Sequence, residues 1–259
     1  MMPSTTKNKL PIRILIKVLV IVFWLGVWQF LSYKVNKQII LPSPIDIIKR
    51  IGELSGEKAF RDTVISSVGR IYSGLLLGVA AGLVLGVLSA LSVIIRELVT
   101  PIMHVVKATP VASFIILALI WLKGENVPAF AAFLMVLPII CESTYTGITL
   151  TDSKHIEVAR VFGFSKFKTL RSVYIPSLLP YFTASLKTSM GLAWKAGIAA
   201  EVLCTPRNSI GRNIYEAKIY IETVDVFAWT AVVIIMSFII EKIVSLLFRG
   251  RIFRKAATR

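Results

Sequence analysis

Residues 157–176 read EVARVFGFSKFKTLRSVYIP, a polar and basic segment broken by one glycine, set between two of the most apolar stretches of the chain. Val158, Val161 and Phe162 fall on one helical stripe, and Gly163 stands where a helix C-terminus calls for a left-handed residue. Ser165 can cap a second short helix with Phe167, Leu170 and Tyr174 along one side, and Pro176 and Pro180 are expected to end it. The spacing predicts two short amphipathic helices at an angle with apolar knobs outward, a shape suited to another protein's groove. A solvated connecting loop is the alternative, because loops between membrane spans are often basic.

The flanks set the class. Of 259 residues, 56% are hydrophobic and the mean hydropathy is +0.76, beyond the range of ordinary soluble domains. The apolar residues come in long blocks, which predicts an all-α integral membrane protein and excludes a β-barrel, whose segments would alternate. Spans are predicted at 18–33, 71–95, 99–122, 127–148, 180–203 and 226–248, six in all. The first lacks a small-residue cleavage site and is read as a retained helix. The third is interrupted by Lys107 and Pro110, and the fourth contains Pro138 and Glu142.

Between the first two spans, LPSPIDIIKRIGEL has Ser43 as an N-cap, Pro44 at the first helical position and Asp46 in the first turn. Ile47, Ile48, Ile51 and Leu54 then form an apolar stripe opposed by Lys49, Arg50 and Glu53, as in an interfacial helix. In the second span, Gly74, Gly78, Gly82 and Gly86 recur every fourth residue, and that spacing predicts a face where another helix packs closely.

The net charge is +16, from 30 Lys and Arg against 14 Asp and Glu. These cations mostly flank apolar blocks, so they are read as topology signals and contacts to anionic lipid, not as a nucleic-acid surface. Six spans place both termini on one side, and the basic ends, including the tail RGRIFRKAATR, assign that side to the cytoplasm. Cys141 and Cys204 lie in or beside apolar spans with no histidine pair near them, so no metal or cofactor is expected. His104 and His155 read as ordinary polar residues. No GxxxxGK[ST] loop exists, and GFSKFKT at 163–169 has one glycine at the wrong spacing, so the chain has no P-loop with which to bind ATP.

With these residues in view, the segment resembles the EAA motif of bacterial ABC importer permeases: E-A-A, three residues, Gly, nine residues, I-x-L-P. Glu157, Ala159, Gly163 and Pro176 match in register, and Val158, Val173 and Ile175 are conservative departures. LPSP, the glycine-spaced span, KATPVASFIILALIW and GLAWKAGIAAEVL are similar to the nitrate, sulfonate and taurine branch of that family. The resemblance implies a type I importer permease: a permease pair, two ATPase subunits and an extracytoplasmic substrate-binding protein. It implies that Glu157, Val158, Ala159, Phe162, Gly163 and Pro176 couple the permease to the ATPase.

On this reading the chain divides into 1–61, an N-terminal span and interfacial helix; 62–248, the permease core; and 249–259, a basic cytoplasmic tail. It is a non-catalytic subunit of the bacterial cytoplasmic membrane, moving a small anionic or zwitterionic solute. Lys195, Glu201 and Lys107 are candidate pathway residues, because a charge within a span usually faces a bundle interior or wet cavity. For Lys195, pairing with Glu142 is the structural alternative. A self-contained secondary transporter or channel is the competing function, but it leaves the EAA spacing without a purpose.

Overall fold

The computed structural model describes residues 9–251. The basic residues 252–259 of the tail, and Lys7 before the first span, lie outside the described residues. Among the described residues, eleven α-helices run in the order α1 (Lys9–Val35), α2 (Pro44–Ser55), α3 (Lys58–Leu91), α4 (Val93–Ala108), α5 (Val111–Trp121), α6 (Val127–Thr149), α7 (Ser153–Val161), α8 (Lys166–Thr169), α9 (Ile175–Cys204), α10 (Ile210–Ile219) and α11 (Thr223–Arg251). A π-helical turn, Leu170–Tyr174, joins α8 to α9.

The core is α6 held between α3 and α9. On α3 the four glycines lie buried against α6. A methyl at Gly74 would land on the Ala129 carbonyl oxygen, and methyls at Gly78, Gly82 and Gly86 would stand 2.8 Å, 2.8 Å and 2.6 Å from the Cβ atoms of Val136, Ile140 and Thr144. Partner numbers rise together along the two helices, so α3 and α6 run parallel. Gly147 of α6 packs against Leu178 and Ser143 meets Ser185 at 2.8 Å, so α9 runs the opposite way.

Parallel α3 and α6 require α4 and α5 to carry the chain back from one end of the bundle to the other. They do so with a bend of 107° at Thr109 and Pro110. The expected third span is therefore a broken one. Thr109 is extended before Pro110, as the ring of a following proline dictates, and Val111 starts a new helix.

Among the described residues, four helices have the length and apolarity of a span, and the bent pair makes a fifth. The remaining expected span, at 180–203, lies in α9, which has 30 residues, about 45 Å at 1.5 Å per residue, but Lys187, Lys195 and Glu201 dilute its apolarity. The second span also differs from expectation. The uncharged run begins after Arg70, yet α3 starts at Lys58, and Arg70 within it is paired with Glu201.

Ser43 caps α2 by accepting from the Asp46 backbone N–H, with Pro44 in the first turn. Ile47 and Leu54 are buried and Ile51 is half-buried, while Ile48 is exposed and leaves the predicted stripe. Arg50 clasps Asp225 of α11 through two hydrogen bonds, 2.7 Å and 2.8 Å. Those bonds, with a third to Glu53, hold the guanidinium charged well above its ordinary range. Along α1, Leu15, Ile16 and residues 18–25 are exposed apolar side chains, the surface expected of a helix bathed in lipid.

Candidate functional site: an exposed turn, a buried carboxylate and a polar cavity

The 157–176 segment folds around a helix stop. Asp152 accepts from the Lys154 N–H to start α7, and Gly163 takes φ +63° just beyond its end. Gly163 N–H donates to Arg160 at 3.0 Å and Phe164 N–H donates to Ala159 at 2.9 Å. This pair of bonds is the Schellman arrangement, which satisfies carbonyls that a helix end otherwise leaves open. Ser165 then caps α8 by accepting from Lys168 N–H at 3.3 Å.

Only Ala159 of α7 is buried. Val158, Val161, Phe162 and Phe167 are more than half exposed, and Phe162 and Phe167 exceed 70%. Apolar side chains of that size, grouped on one polar turn, form an unpartnered contact surface. Glu157 is exposed on the same helix and makes no ion pair among the described residues.

Pro176 and Pro180 do not end the second helix. The chain stays helical from Lys166 to Cys204, with the π turn immediately before Pro176, where the Ile175 N–H reaches back to Leu170. A proline ring clashes with the carbonyl four residues earlier and supplies no N–H; one wider turn relieves both problems without breaking the rod.

Among the charged candidates, Glu201 is wholly buried. Its oxygens accept from Arg70 at 2.7 Å, Ser67 Oγ at 2.9 Å and the Gly211 N–H at 3.2 Å. Ser67 Oγ also accepts from Ile210 N–H, and Arg70 reaches the Arg207 carbonyl. The network fastens the start of α10 to α3 and α9. Sequence reasoning singled out neither Arg70 nor Ser67; Arg70 is 131 positions from its partner, and its position at the edge of the uncharged run is the sole hint.

Lys195 and Lys107 are exposed, and neither is ion-paired among the described residues. Glu142 pairs with Arg96 at 3.3 Å, not with Lys195, and the Arg96 guanidinium lies 3.7 Å from the Tyr145 ring. Lys195 lines a cavity of about 280 Å³ between α3, α9 and α11 together with Tyr72, Lys187 and Glu241; Glu201 and Lys107 do not line it. A second hollow of about 620 Å³ opens at the α10 end of the bundle, lined by Glu57, Arg212, Glu216, Glu222, Asp225 and Trp229 among others. No group of three metal-ligating side chains occurs among the described residues.

The described residues thus combine membrane-length helices, a polar cavity and an apolar turn bare at one end. Residues 78–255 match the family of binding-protein-dependent transport system inner membrane components, and the chain belongs to that family. The taurine transport system permease protein TauC of Escherichia coli K12 is 25% identical over 220 residues, covering 83% of this chain and 80% of its own length. The nitrate import permease protein NrtB of Leptolyngbya laminosa is 27% identical over 224 residues, covering 83% and 77%. In fold, a chain from the crystal structure of an amino acid ABC transporter with histidines superimposes at a TM-score of 0.59 and 18% identity, over 71% of this chain and 90% of that one. The fold is that of a type I ABC importer permease. Membership makes this chain a non-catalytic, multi-pass membrane subunit whose family works with a partner ATPase and a substrate-binding protein.

Proposed function

We propose that the chain is the permease of an importer for a small oxyanion-bearing solute of the taurine, sulfonate or nitrate kind, and that its 157–176 turn is the surface on which the ATPase acts. The observation that carries the coupling role is the Schellman stop at Gly163, which leaves Val158, Val161 and Phe162 exposed on a polar turn. Such knobs suit a hydrophobic cleft on a soluble protein. Glu157 lies beside them, Ala159 anchors the helix inward, and Pro176 marks where the rod of α9 begins. The solute class rests on the names of the taurine and nitrate relatives.

In this reading two copies of the chain pair around the pathway, two ATPase subunits sit at the α7 end, and the binding protein meets the α10 end from outside the cell. Both termini then face the cytoplasm. Residues 62–248 form the permease core, preceded by the α1 span and the α2 helix. Lys195 and Lys107, both exposed, are available to the pathway; Glu201 would govern it from within, by holding α10 in place. ATPase closure and a loaded binding protein would bias two arrangements of the helices.

Reconstitution in liposomes with the cognate ATPase and binding protein tests the assignment. Uptake of labelled taurine or nitrate that needs ATP, the ATPase and the binding protein is the expected result. Uptake by this chain alone, indifferent to ATP, would replace the importer with a self-contained transporter.

A further inference from the structure

The cavity between α3, α9 and α11 has two chemically different ends. Trp194 donates its indole N–H to the Val233 carbonyl at 3.1 Å, which fixes the register of α9 against the antiparallel α11. Eight residues further along α11, Glu241 therefore lies level with Lys187, and both line the cavity. The register of α3 follows from the ion pair of Arg70 with Glu201 and from the packing of Ile71 against Gly197. Tyr72, the next residue, thus lies level with Lys195. Lys187 and Lys195 are eight residues apart, about 12 Å along the axis.

At the inner level, Lys187 and Glu241 put one charge of each sign on the cavity wall, without an ion pair between them. At the other level, Lys195 has no carboxylate facing it from α3 or α11. The Tyr72 hydroxyl is buried, and it has no hydrogen-bond partner among the described residues. A buried hydroxyl without an acceptor is costly, and an uncompensated cation within a span is rarer still. Both demands are met by one thing: an anion with several oxygens, taking an ammonium on one side and a phenol O–H on another.

We infer that Lys195 and Tyr72 form a binding subsite for the oxyanion head of the transported solute, a sulfonate-like or nitrate-like group. The cavity's remaining volume, with Thr188 and Ser237 on its wall, receives the rest of the molecule. Glu241, at the far end, is placed to receive a positive group if the solute is a zwitterion. Tyr72 is a positioning and recognition residue that nothing in the sequence marks out. This subsite rests on the importer reading for its purpose, but not for its chemistry.

The test is calorimetric titration of ethanesulfonate into the permease–ATPase complex in lipid nanodiscs, without ATP and without the binding protein, which would bind the probe itself. Wild type is expected to bind the probe, with ethanol giving no heat of binding. Lys195→Met and Tyr72→Phe should each weaken ethanesulfonate about tenfold or more, as expected for loss of a hydrogen bond to a charged group. Lys195→Arg should hold affinity within about threefold, since the charge is kept. Circular dichroism and gel filtration check that each variant is folded, and Lys195→Gln serves if the methionine variant is not. Absence of binding to wild type, or affinities unchanged in folded Lys195 and Tyr72 variants, would overturn the subsite. ATP-independent uptake with ethanesulfonate binding intact would overturn the importer reading alone.

Discussion

Arg70 and Glu201 meet at 2.7 Å between α3 and α9, with the carboxylate sealed from solvent and its other oxygen held by Ser67 and the Gly211 N–H. Removing one member strands the other. Glu201→Gln is expected to cost about 3 kcal/mol, the scale of a broken buried pair. The apolar double variant Arg70→Met with Glu201→Leu should lose less than the sum of the single changes, because neither leaves an unpaired charge. Thermal unfolding in detergent of the four proteins measures the coupling; additive losses would show that the two side chains do not stabilise the fold through each other.

The α3–α6 seam predicts sharp size limits. A methyl at Gly82 would stand 2.8 Å from the Ile140 Cβ, so Gly82→Ala is expected to destabilise by about 1–3 kcal/mol through overpacking. Ile140→Ala in the same chain should recover part of that loss. Melting temperatures and yields of folded protein report the effect. A Gly82→Leu variant as stable as wild type would mean that the helices are not in contact there.

Gly163 gives the opposite case, since nothing lies within 4 Å of the position a Cβ would take. Crowding is therefore absent, and only the backbone conformation at φ +63° penalises a side chain. Gly163→Asn should fold and support transport, because asparagine tolerates that region. Gly163→Val should still insert in the membrane, yet lose most solute-stimulated ATP hydrolysis in the assembled transporter. Normal coupling by the valine variant would remove the bend from the account of how the turn works.

The Arg50–Asp225 clasp ties α2 to α11 through paired hydrogen bonds. A cation whose folded pKa is raised adds stability below its unfolded value and loses it only as pH climbs past that strongly alkaline region. Arg50→Ala is thus expected to lower stability by about 1 kcal/mol, with the gap from wild type unchanged between about pH 7 and about pH 10. Unfolding midpoints across that range test it, and a gap that closes by about pH 10 would contradict the sign.

What the sequence disclosed was what helix geometry makes local. Glycines four apart had to share a face, and Gly163 followed by Ser165 had to stop one helix and start another. Proline at 110 signalled a break but not its 107° angle, which depends on where α6 packs. At 176 the same residue type misled, because a π turn absorbed what would otherwise have ended the helix, and at 180 the helix carries its proline internally. Glu201 looked like a pathway residue since its partner lies 131 positions away on α3. Tyr72 was illegible for a simpler reason: an aromatic residue in an apolar run carries no mark of an unsatisfied hydroxyl.

The unbroken helix from Lys166 to Cys204 has a mechanical consequence. About 58 Å long at helical rise, it joins the bare aromatic knob of Phe167 to the level of Lys195 and, just beyond, to Glu201. A rod has no joint at which to dissipate a push. Under the proposed coupling, torque applied at its foot would arrive at its head as rotation, through the π turn beneath Pro176. If the proposed coupling holds, the stiffness of that single turn would set how faithfully a nudge on the surface becomes a turn of Lys195 in the cavity wall.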